Sequence, residues 1–148
     1  MATKKIIKSI DINASRENVW NSLFMPESFK QWGAEFSQGT EVITTWEEGS
    51  KVIFKDASNS GLVGTIKKNV PQEIMVIKYY GELKDDKEDT ESPYAQEVKG
   101  AMETYILTEK EGRVYLAIEC DMSEKYFDMM SEAWDRALVK IKILAEEA

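Results

Sequence analysis

The sequence predicts an α+β fold in which an antiparallel sheet of about seven strands packs against a long C-terminal helix. Two observations support this class. Apolar and polar residues alternate through most of residues 40–122, as in half-buried strands, whereas apolar residues recur every three or four positions in residues 126–144, as on one face of a helix. Two short helices are predicted after the first strand. The chain contains no linker-like stretch, so residues 1–148 are expected to form a single domain.

The N-terminal segment predicts one strand and two short helices. KKIIKSIDI, residues 4–12, alternates with a period of two and predicts the strand. Ser15 is a favourable N-cap for the first helix, and Pro26 ends that helix because proline has no N–H to donate. Proline is favoured at the first position of a helix, so PESFKQWG, residues 26–33, predicts the second helix. We expect Trp20 to face inward and to anchor the first helix to the sheet.

Three hairpins are predicted between residues 40 and 122. Their strand pairs are EVITTW with SKVIFKDA, GLVGTIKKNV with EIMVIKYYGEL, and AMETYILTEK with RVYLAIECDM. The connections within these pairs, EEG, PQ and EG, are short, and short connections suffice for antiparallel neighbours.

The connection over residues 84–100, KDDKEDTESPYAQEVKG, differs from the others, and we call it the acidic segment. It carries six acids and three lysines. Because such a polar stretch can bury little apolar area, we expect a mobile loop. Two interpretations stay open: a solvated insertion, and a rim or lid at the mouth of a pocket.

The C-terminal helix is predicted to begin at Ser123, because serine is a favourable N-cap and the acidic Glu124 suits the first turn. Its apolar face is formed by side chains at three- and four-residue steps. These side chains are Tyr126, Met130, Ala133, Trp134, Ala137, Leu138, Ile141 and Leu144.

The composition argues against several classes of function. The formal net charge of −8 disfavours a nucleic-acid partner and an anionic membrane surface, which both attract basic proteins. The chain has no histidine, which excludes Ser-His-Asp and Cys-His catalysis and imidazole-dependent zinc sites. The single cysteine, Cys120, is expected to be a buried apolar residue and suits a reducing compartment. No signal peptide or membrane-spanning run is evident, so a cytoplasmic location is expected.

Carboxylates are the only acid–base groups left in a chain without histidine. Glu103 and Glu119 alternate with apolar neighbours, and we expect both on the solvent face of the sheet. If either faced an interior cavity, desolvation would raise its pKa and let it act as an acid.

Other polar motifs give no sign of a functional site. Asp56 indicates a turn. DDKED lacks the spacing of a calcium loop and GLVG lacks the continuation of a phosphate loop, so no metal and no cofactor are expected.

Several stretches together resemble one known family. They are the opening IDINASRENVWNSLFMPESFKQW, the hairpin EEGSKVIF, the strand pair GTIKKNVPQEIMVIKYY and the closing helix MSEAWDRALVKIKILAEE. The chain resembles the START-like, helix-grip superfamily, in particular the stand-alone bacterial (AHSA-like) homologues of the heat-shock protein 90 ATPase activator. The resemblance implies a curved sheet wrapped around the C-terminal helix, with a hydrophobic cavity between them. Superfamily members bind lipids, hormones and polyketides there, and some are cyclases or aromatases.

Three hypotheses about function follow. The first is binding of a small hydrophobic molecule in the cavity between the helix and the sheet. The second is a protein-interaction module that regulates a heat-shock protein 90 homologue, with surface charge, including the acidic segment, carrying recognition. The third is a cofactor-free cyclase or aromatase, which has the weakest support because no acid–base pair is evident. We therefore expect no enzymatic activity.

The residues expected to contact a ligand are apolar or aromatic. Strand alternation lets only one of Tyr79 and Tyr80 face inward. Trp32 ends the second helix, near the place where family members keep the cavity mouth, so we expect it to meet a ligand in preference to Trp20. The full set of candidate ligand-binding residues is Trp32, Phe54, Tyr79, Tyr105, Phe127, Met130 and Trp134. No catalytic residue is assigned.

Overall fold

An eight-stranded antiparallel sheet and four helices make up residues 3–148, the part of the chain that the computed structural model describes. The elements in chain order are β1 (Thr3–Ile12), α1 (Arg16–Phe24), α2 (Pro26–Gly33), β2 (Glu41–Ile43), β3 (Lys51–Lys55), β4 (Gly61–Val70), β5 (Ile74–Lys84), β6 (Lys87–Asp89), α3 (Pro93–Val98), β7 (Met102–Lys110), β8 (Arg113–Ser123) and α4 (Phe127–Glu146). The predicted fold class and the pairing of the three predicted hairpins are confirmed, but in the first hairpin β2 ends at Ile43, so residues 44–50 form the connection and not EEG alone. Strand β6 and helix α3 are additions.

The strands follow the order β1-β8-β7-β5-β4-β3-β2, and β6 pairs with β5. The first strand therefore lies beside the last one, with Ile6 opposite Cys120 and Ile12 opposite Val114. Helix α4 packs against β1, α1 and α2. Its buried face carries Ala133, Trp134, Ala137, Leu138, Ile141 and Ala145. The hydrophobic core thus lies between α4 and one face of the sheet.

The corner between α1 and α2 is built around Pro26, as predicted. The Ser15 side chain accepts a 3.1 Å hydrogen bond from the Asn18 N–H and caps α1. Proline at position 26 cannot donate to the carbonyl of Ser22, four residues earlier, so this carbonyl has no helical donor. Trp32 Nε1 donates to it instead, at 3.0 Å. The corner and the position of the Trp32 ring are therefore fixed by the same hydrogen bond.

The start of α4 differs from the prediction. Ser123 is the last residue of β8, where it pairs with Thr3 of β1, and the helix begins at Phe127. The Tyr126 N–H donates to the Ser123 carbonyl at 3.1 Å, so a turn separates strand from helix. Pairing with an edge strand holds Ser123 in extended backbone, and this tertiary pairing overrides the local preference of serine for an N-cap.

The acidic segment contains two short elements where a loop was expected. Asp89 Oδ1 accepts hydrogen bonds from the N–H groups of Glu91 at 2.8 Å and Ser92 at 3.0 Å. The Ser92 side chain then accepts from the Ala95 N–H at 3.1 Å and caps α3. Ala95 is fully buried. Polar side chains of the segment bond to its own backbone N–H groups and so stabilise α3. The polar composition of the segment does not predict these specific hydrogen bonds.

None of the helices in the described part of the chain is both long enough and apolar enough to cross a membrane.

Candidate functional site

A cavity of about 160 Å³ lies between α4, α2 and the sheet, and we call it the aromatic chamber. Most of its wall is aromatic. The rings come from Phe29, Trp32, Phe36, Phe54, Tyr79, Tyr94, Tyr105 and Trp134, and Leu62, Glu103, Cys120, Met122 and Met130 complete most of the remaining wall.

Two further spaces adjoin the aromatic chamber. A smaller cavity of about 60 Å³, the acidic chamber, shares Tyr79, Tyr94 and Glu103 with it and is also lined by Glu97, Asp121 and Ser123. On the other side a surface groove of about 490 Å³, the entrance groove, shares Phe36, Thr40, Phe54, Leu62, Tyr94 and Met130 with the chamber. The aromatic chamber thus has lining residues in common with the groove at the surface on one side and with the acidic chamber on the other, and Glu103 lies between the two chambers.

Six of the seven predicted ligand-contact residues line the aromatic chamber, namely Trp32, Phe54, Tyr79, Tyr105, Met130 and Trp134. Phe127 lies outside its lining. Phe127 opens α4, about two turns and roughly 10 Å before Trp134. Its ring lies instead against the Lys4 ammonium, 5.2 Å from the ring centroid. The later start of the helix thus places this side chain beside β1.

The two tryptophans of the chamber stand side by side. The ring centroids of Trp32 and Trp134 are 5.8 Å apart, and Phe36 packs edge-on against Trp134 at 4.9 Å. Because the Trp32 N–H is already bonded to the Ser22 carbonyl, Trp32 offers only its ring to the chamber. Trp20 lies outside the lining and packs edge-on against Phe24 at 4.7 Å.

Tyr79 faces the chamber because it shares the inner face of β5 with the buried Met75 and Ile77, and a β-bulge follows it. In the β4–β5 pair Gly64 lies opposite Tyr79 and Val63 opposite Gly81, so Tyr80 is the extra residue. The two strands approach closely at this point, because a Cβ on Gly64 would lie 2.7 Å from the Lys78 carbonyl oxygen. The sequence argument that only one of the two tyrosines faces inward holds: Tyr79 is buried, and the Tyr80 phenol donates to Glu88 at 2.8 Å.

Glu103 lies on the inner face of the sheet, and its expected position on the solvent face is wrong. Its carboxylate lines both chambers. Oε1 accepts a hydrogen bond from the Tyr79 phenol at 3.2 Å, and Oε2 accepts one from the Tyr105 phenol at 2.6 Å. The Cys120 thiol contacts Oε1 at 3.7 Å. Glu119 points to the outer face as expected, since it precedes the inward-facing Cys120 and lies opposite the exposed Ile7.

The sequence contained a signal for Glu103 that polarity alone obscured. Side chains two residues apart in a strand share a face of the sheet. The expectation that Tyr105 faces the cavity therefore required Glu103 to face it too. Tyr94 was missed for a different reason: it lies on α3, inside the acidic segment.

Burial controls the electrostatics of this cluster. Desolvation raises the pKa of the Glu103 carboxyl above its ordinary value, and the hydrogen bonds from Tyr105, Tyr79 and Cys120 oppose that rise without cancelling it. Burial, followed by the nearby Glu103 charge, raises the pKa of both tyrosines well above the usual range. The same two causes raise the pKa of the Cys120 thiol, which favours the protonated form of this side chain.

Glu103 is the acid–base group of this cluster, because the pKa values of the phenols and the thiol are raised from ordinary values that are already higher than that of a carboxyl. Glu103 can hold or release a proton, while the two phenols and the thiol stay protonated and act as hydrogen-bond donors. This arrangement can orient a polar group of a bound molecule. Glu103 could serve as one member of an acid–base pair. The sequence had predicted this carboxyl on the solvent face of the sheet.

A long helix held against an antiparallel sheet, with a cavity between them, defines a helix-grip protein of the START-like class. Residues 13–146 match the family model described as Activator of Hsp90 ATPase homolog 1-like protein, and the chain belongs to that family. No curated protein sequence matches the chain.

Solved structures with the same fold are similar to this chain at low sequence identity. The Aha1 dimer from Colwellia psychrerythraea is 16% identical, with a TM-score of 0.74 over 97% of this chain and 96% of the other. Protein MLL2253 from Mesorhizobium loti is 12% identical, with a TM-score of 0.76 over 98% of each chain. CalU16 from Micromonospora echinospora is 16% identical, with a TM-score of 0.67 over 98% of this chain and 87% of the other. At these identities the likeness establishes the fold alone.

Proposed function

We propose that this protein binds a small, mainly hydrophobic molecule in the aromatic chamber. The observation that carries the proposal is a cavity of about 160 Å³ with a mainly aromatic lining, set between α4, α2 and the sheet. Protein interiors are packed about as densely as organic crystals, and voids larger than a water molecule are few. An apolar cavity of about 150 Å³ is large enough to take up benzene. A ligand with one ring, or an aliphatic molecule of the same size, therefore matches the chamber.

The expected affinity follows from the apolar area that such a ligand buries. A single ring has an area of roughly 150–250 Å², and burial contributes about 25 cal/mol per Å². The gross gain is about 4–6 kcal/mol, which corresponds to dissociation constants from roughly the tens of micromolar to the millimolar range. The loss of translational and rotational freedom weakens binding below this gross value, while preformed walls avoid a further cost of ordering side chains. Any tighter binding requires the polar cluster at Glu103.

A titration tests the proposal directly. Cyclohexanol has the right size and does not absorb where tryptophan does, so it can be followed both by the emission of the chamber tryptophans and by amide chemical shifts. We expect saturable binding with shifts concentrated at α2, α4, β5 and β7. Absence of saturation, or shifts scattered over the outer face of the sheet, would overturn the proposal.

A second candidate is regulation of a heat-shock protein 90 homologue. Membership of the family of Hsp90 ATPase activator homologues favours it. The acidic segment offers a charged surface with a net charge of −3, from six acids and three lysines, and charge complementarity is a common basis for partner choice. The test is the ATPase rate of a heat-shock protein 90 homologue with and without this protein. An unchanged rate together with no co-precipitation would exclude this candidate.

A further inference from the structure

Most polar groups at the buried end of the cavity present hydrogen-bond acceptors to a ligand, and the hydroxyls of Ser123 and Tyr94 can either donate or accept. The phenols of Tyr79 and Tyr105 direct their hydrogens at the Glu103 carboxylate, and the Cys120 thiol lies 3.7 Å from that carboxylate and 3.7 Å from the Asp121 carbonyl oxygen. A hydroxyl that donates its one hydrogen has only lone pairs left to offer. The carboxylate itself is acceptor-only when ionised. A ligand group that pairs with the ionised Glu103 carboxylate must therefore be a donor.

The charges around the acidic chamber all have one sign. Glu97, Glu103 and Asp121 line it, and within residues 3–148 no lysine or arginine lines either chamber. Asp121 is already engaged, because it accepts from the Met102 N–H at 3.0 Å and lies 3.6 Å from the Lys5 ammonium. Glu103 has no ion-pair partner in the described part of the chain. A buried carboxylate is stabilised by a cation placed beside it.

Ser123 supplies an independent observation. Its side chain is only 8% exposed and lines the acidic chamber. Its hydroxyl oxygen is buried and has no hydrogen-bond partner among the residues that the structure describes. Buried hydroxyls nearly always have a partner, so an unsatisfied one facing a cavity indicates a ligand group or an ordered water.

We propose that the ligand of the aromatic chamber is a compact amine. Its ammonium group enters the acidic chamber, where it donates to Glu103 and Ser123, and its apolar body occupies the aromatic chamber. The three N–H donors of an ammonium match the acceptors available there. Tyr79 and Tyr94 line both chambers and add the attraction of ring faces for a cation. This inference rests on the proposed function and specifies the chemical class of its ligand.

Three probes of one size test the class of ligand. Benzylamine, benzyl alcohol and benzoate share a ring and carry a cationic, a neutral and an anionic group at neutral pH. Calorimetric titration of the full chain should give the order amine, alcohol, benzoate. A charged hydrogen bond contributes more than a neutral one, so the amine should bind at least roughly tenfold more tightly than the alcohol.

Variants locate the effect. Glu103→Gln keeps the shape of the side chain and removes its charge, and should weaken benzylamine by roughly ten- to a hundredfold while changing benzyl alcohol by less than about threefold. Ser123→Ala should weaken benzylamine by roughly two- to tenfold. Glu119→Gln is the matched control: it removes the same charge on the outer face of the sheet and should change neither affinity.

The outcomes separate this inference from the proposed function. If benzyl alcohol or benzoate binds the natural protein as tightly as benzylamine, the amine inference is wrong and binding in the chamber stands. If none of the three probes binds, both proposals are wrong. Unchanged benzylamine affinity in Glu103→Gln also overturns the inference. Should Glu103→Gln fail to fold, the order of the three probes on the natural protein still decides.

Discussion

The phenol of Tyr105 donates a 2.6 Å hydrogen bond to the carboxylate of Glu103, two residues earlier in the same strand. The two side chains share one face of β7, where the Tyr105 ring packs in the core against Phe24 and Trp134 and its hydroxyl reaches the carboxylate. The bond holds the carboxylate against the sheet and leaves its other oxygen to Tyr79. The strength of this contact can be measured.

Tyr105→Phe should destabilise the protein by about 1–3 kcal/mol, because it removes a donor from a buried carboxylate. It should also raise the pKa of Glu103 further, since the Tyr105 hydrogen bond opposes the effect of burial. Urea unfolding measures the first effect, and carboxyl chemical shifts followed against pH measure the second. Tyr115→Phe is the control: the Tyr115 phenol is exposed and donates to Ser9 Oγ at 2.8 Å. Its loss should change stability by less than about 0.5 kcal/mol.

Glu103 should make the protein less stable as pH rises. Its pKa is raised in the folded state, so between the unfolded value of about 4.3 and the folded value the native protein binds more protons than the unfolded chain. The free energy of unfolding therefore falls across this window and is constant for this group above and below it. Other carboxyls with lowered pKa, such as Asp56, contribute the opposite slope at lower pH.

The difference between the natural protein and Glu103→Gln isolates this effect. Unfolding by urea at several values between about pH 4 and pH 8 should show the natural protein losing stability relative to the variant as pH rises. A difference that is flat, or that grows in the opposite direction, would show that burial does not control Glu103. A bound amine should reduce the slope, because a cation favours the ionised carboxylate.

Met130→Trp should block the aromatic chamber. Met130 lines both the chamber and the entrance groove, and a larger side chain there must occupy ligand space. We expect cyclohexanol affinity to fall by roughly tenfold or more, since overfilling a packed space costs about 1–3 kcal/mol. Met129→Trp makes the same change one residue earlier, at a side chain that is 56% exposed, and should bind as before. Equal affinities in the two variants would place the ligand elsewhere.

Ser92→Ala should loosen α3 and weaken ligand binding. The Ser92 hydroxyl caps α3 and donates to Glu82 at 2.9 Å, and loss of a cap costs about 1 kcal/mol. Hydrogen exchange at residues 93–98 should become faster, and cyclohexanol affinity should fall because Tyr94 lines the chamber. Glu91→Ala, an exposed neighbour, is the control. Faster hydrogen exchange with unchanged cyclohexanol affinity would show that α3 does not contribute to the ligand site.

Local chemistry explains which elements could be predicted from the sequence. The corner at Pro26 follows from one missing N–H, and the hairpins follow from alternation and short turns. Ser92 and Pro93 carried the same kind of signal for α3, but the charge of the surrounding segment concealed it. Judged by its local sequence, Ser123 is a good N-cap. It belongs to a strand because β8 pairs with β1, which is distant in the sequence, and local signals do not report that pairing.

The candidate site was harder to predict because it depends on distant strands. Tyr79, Glu103 and Cys120 come from β5, β7 and β8, and their contacts depend on register and on the bulge at Tyr80. A carboxylate between apolar neighbours is normally solvated, so composition favoured the wrong face for Glu103. The apolar lining was easier to predict, because aromatic residues at inward positions meet wherever the helix crosses the sheet.

The hydrogen bond from Trp32 to the Ser22 carbonyl gives the protein a built-in spectroscopic probe. The indole proton is buried and bonded, whereas the ring of the same residue forms part of the chamber wall. Its proton resonance should stand apart from those of the half-buried Trp20 and Trp46, and its exchange with deuterium should be slow. A ligand that presses on the ring will shift this single line, so occupancy of the chamber can be followed without a label.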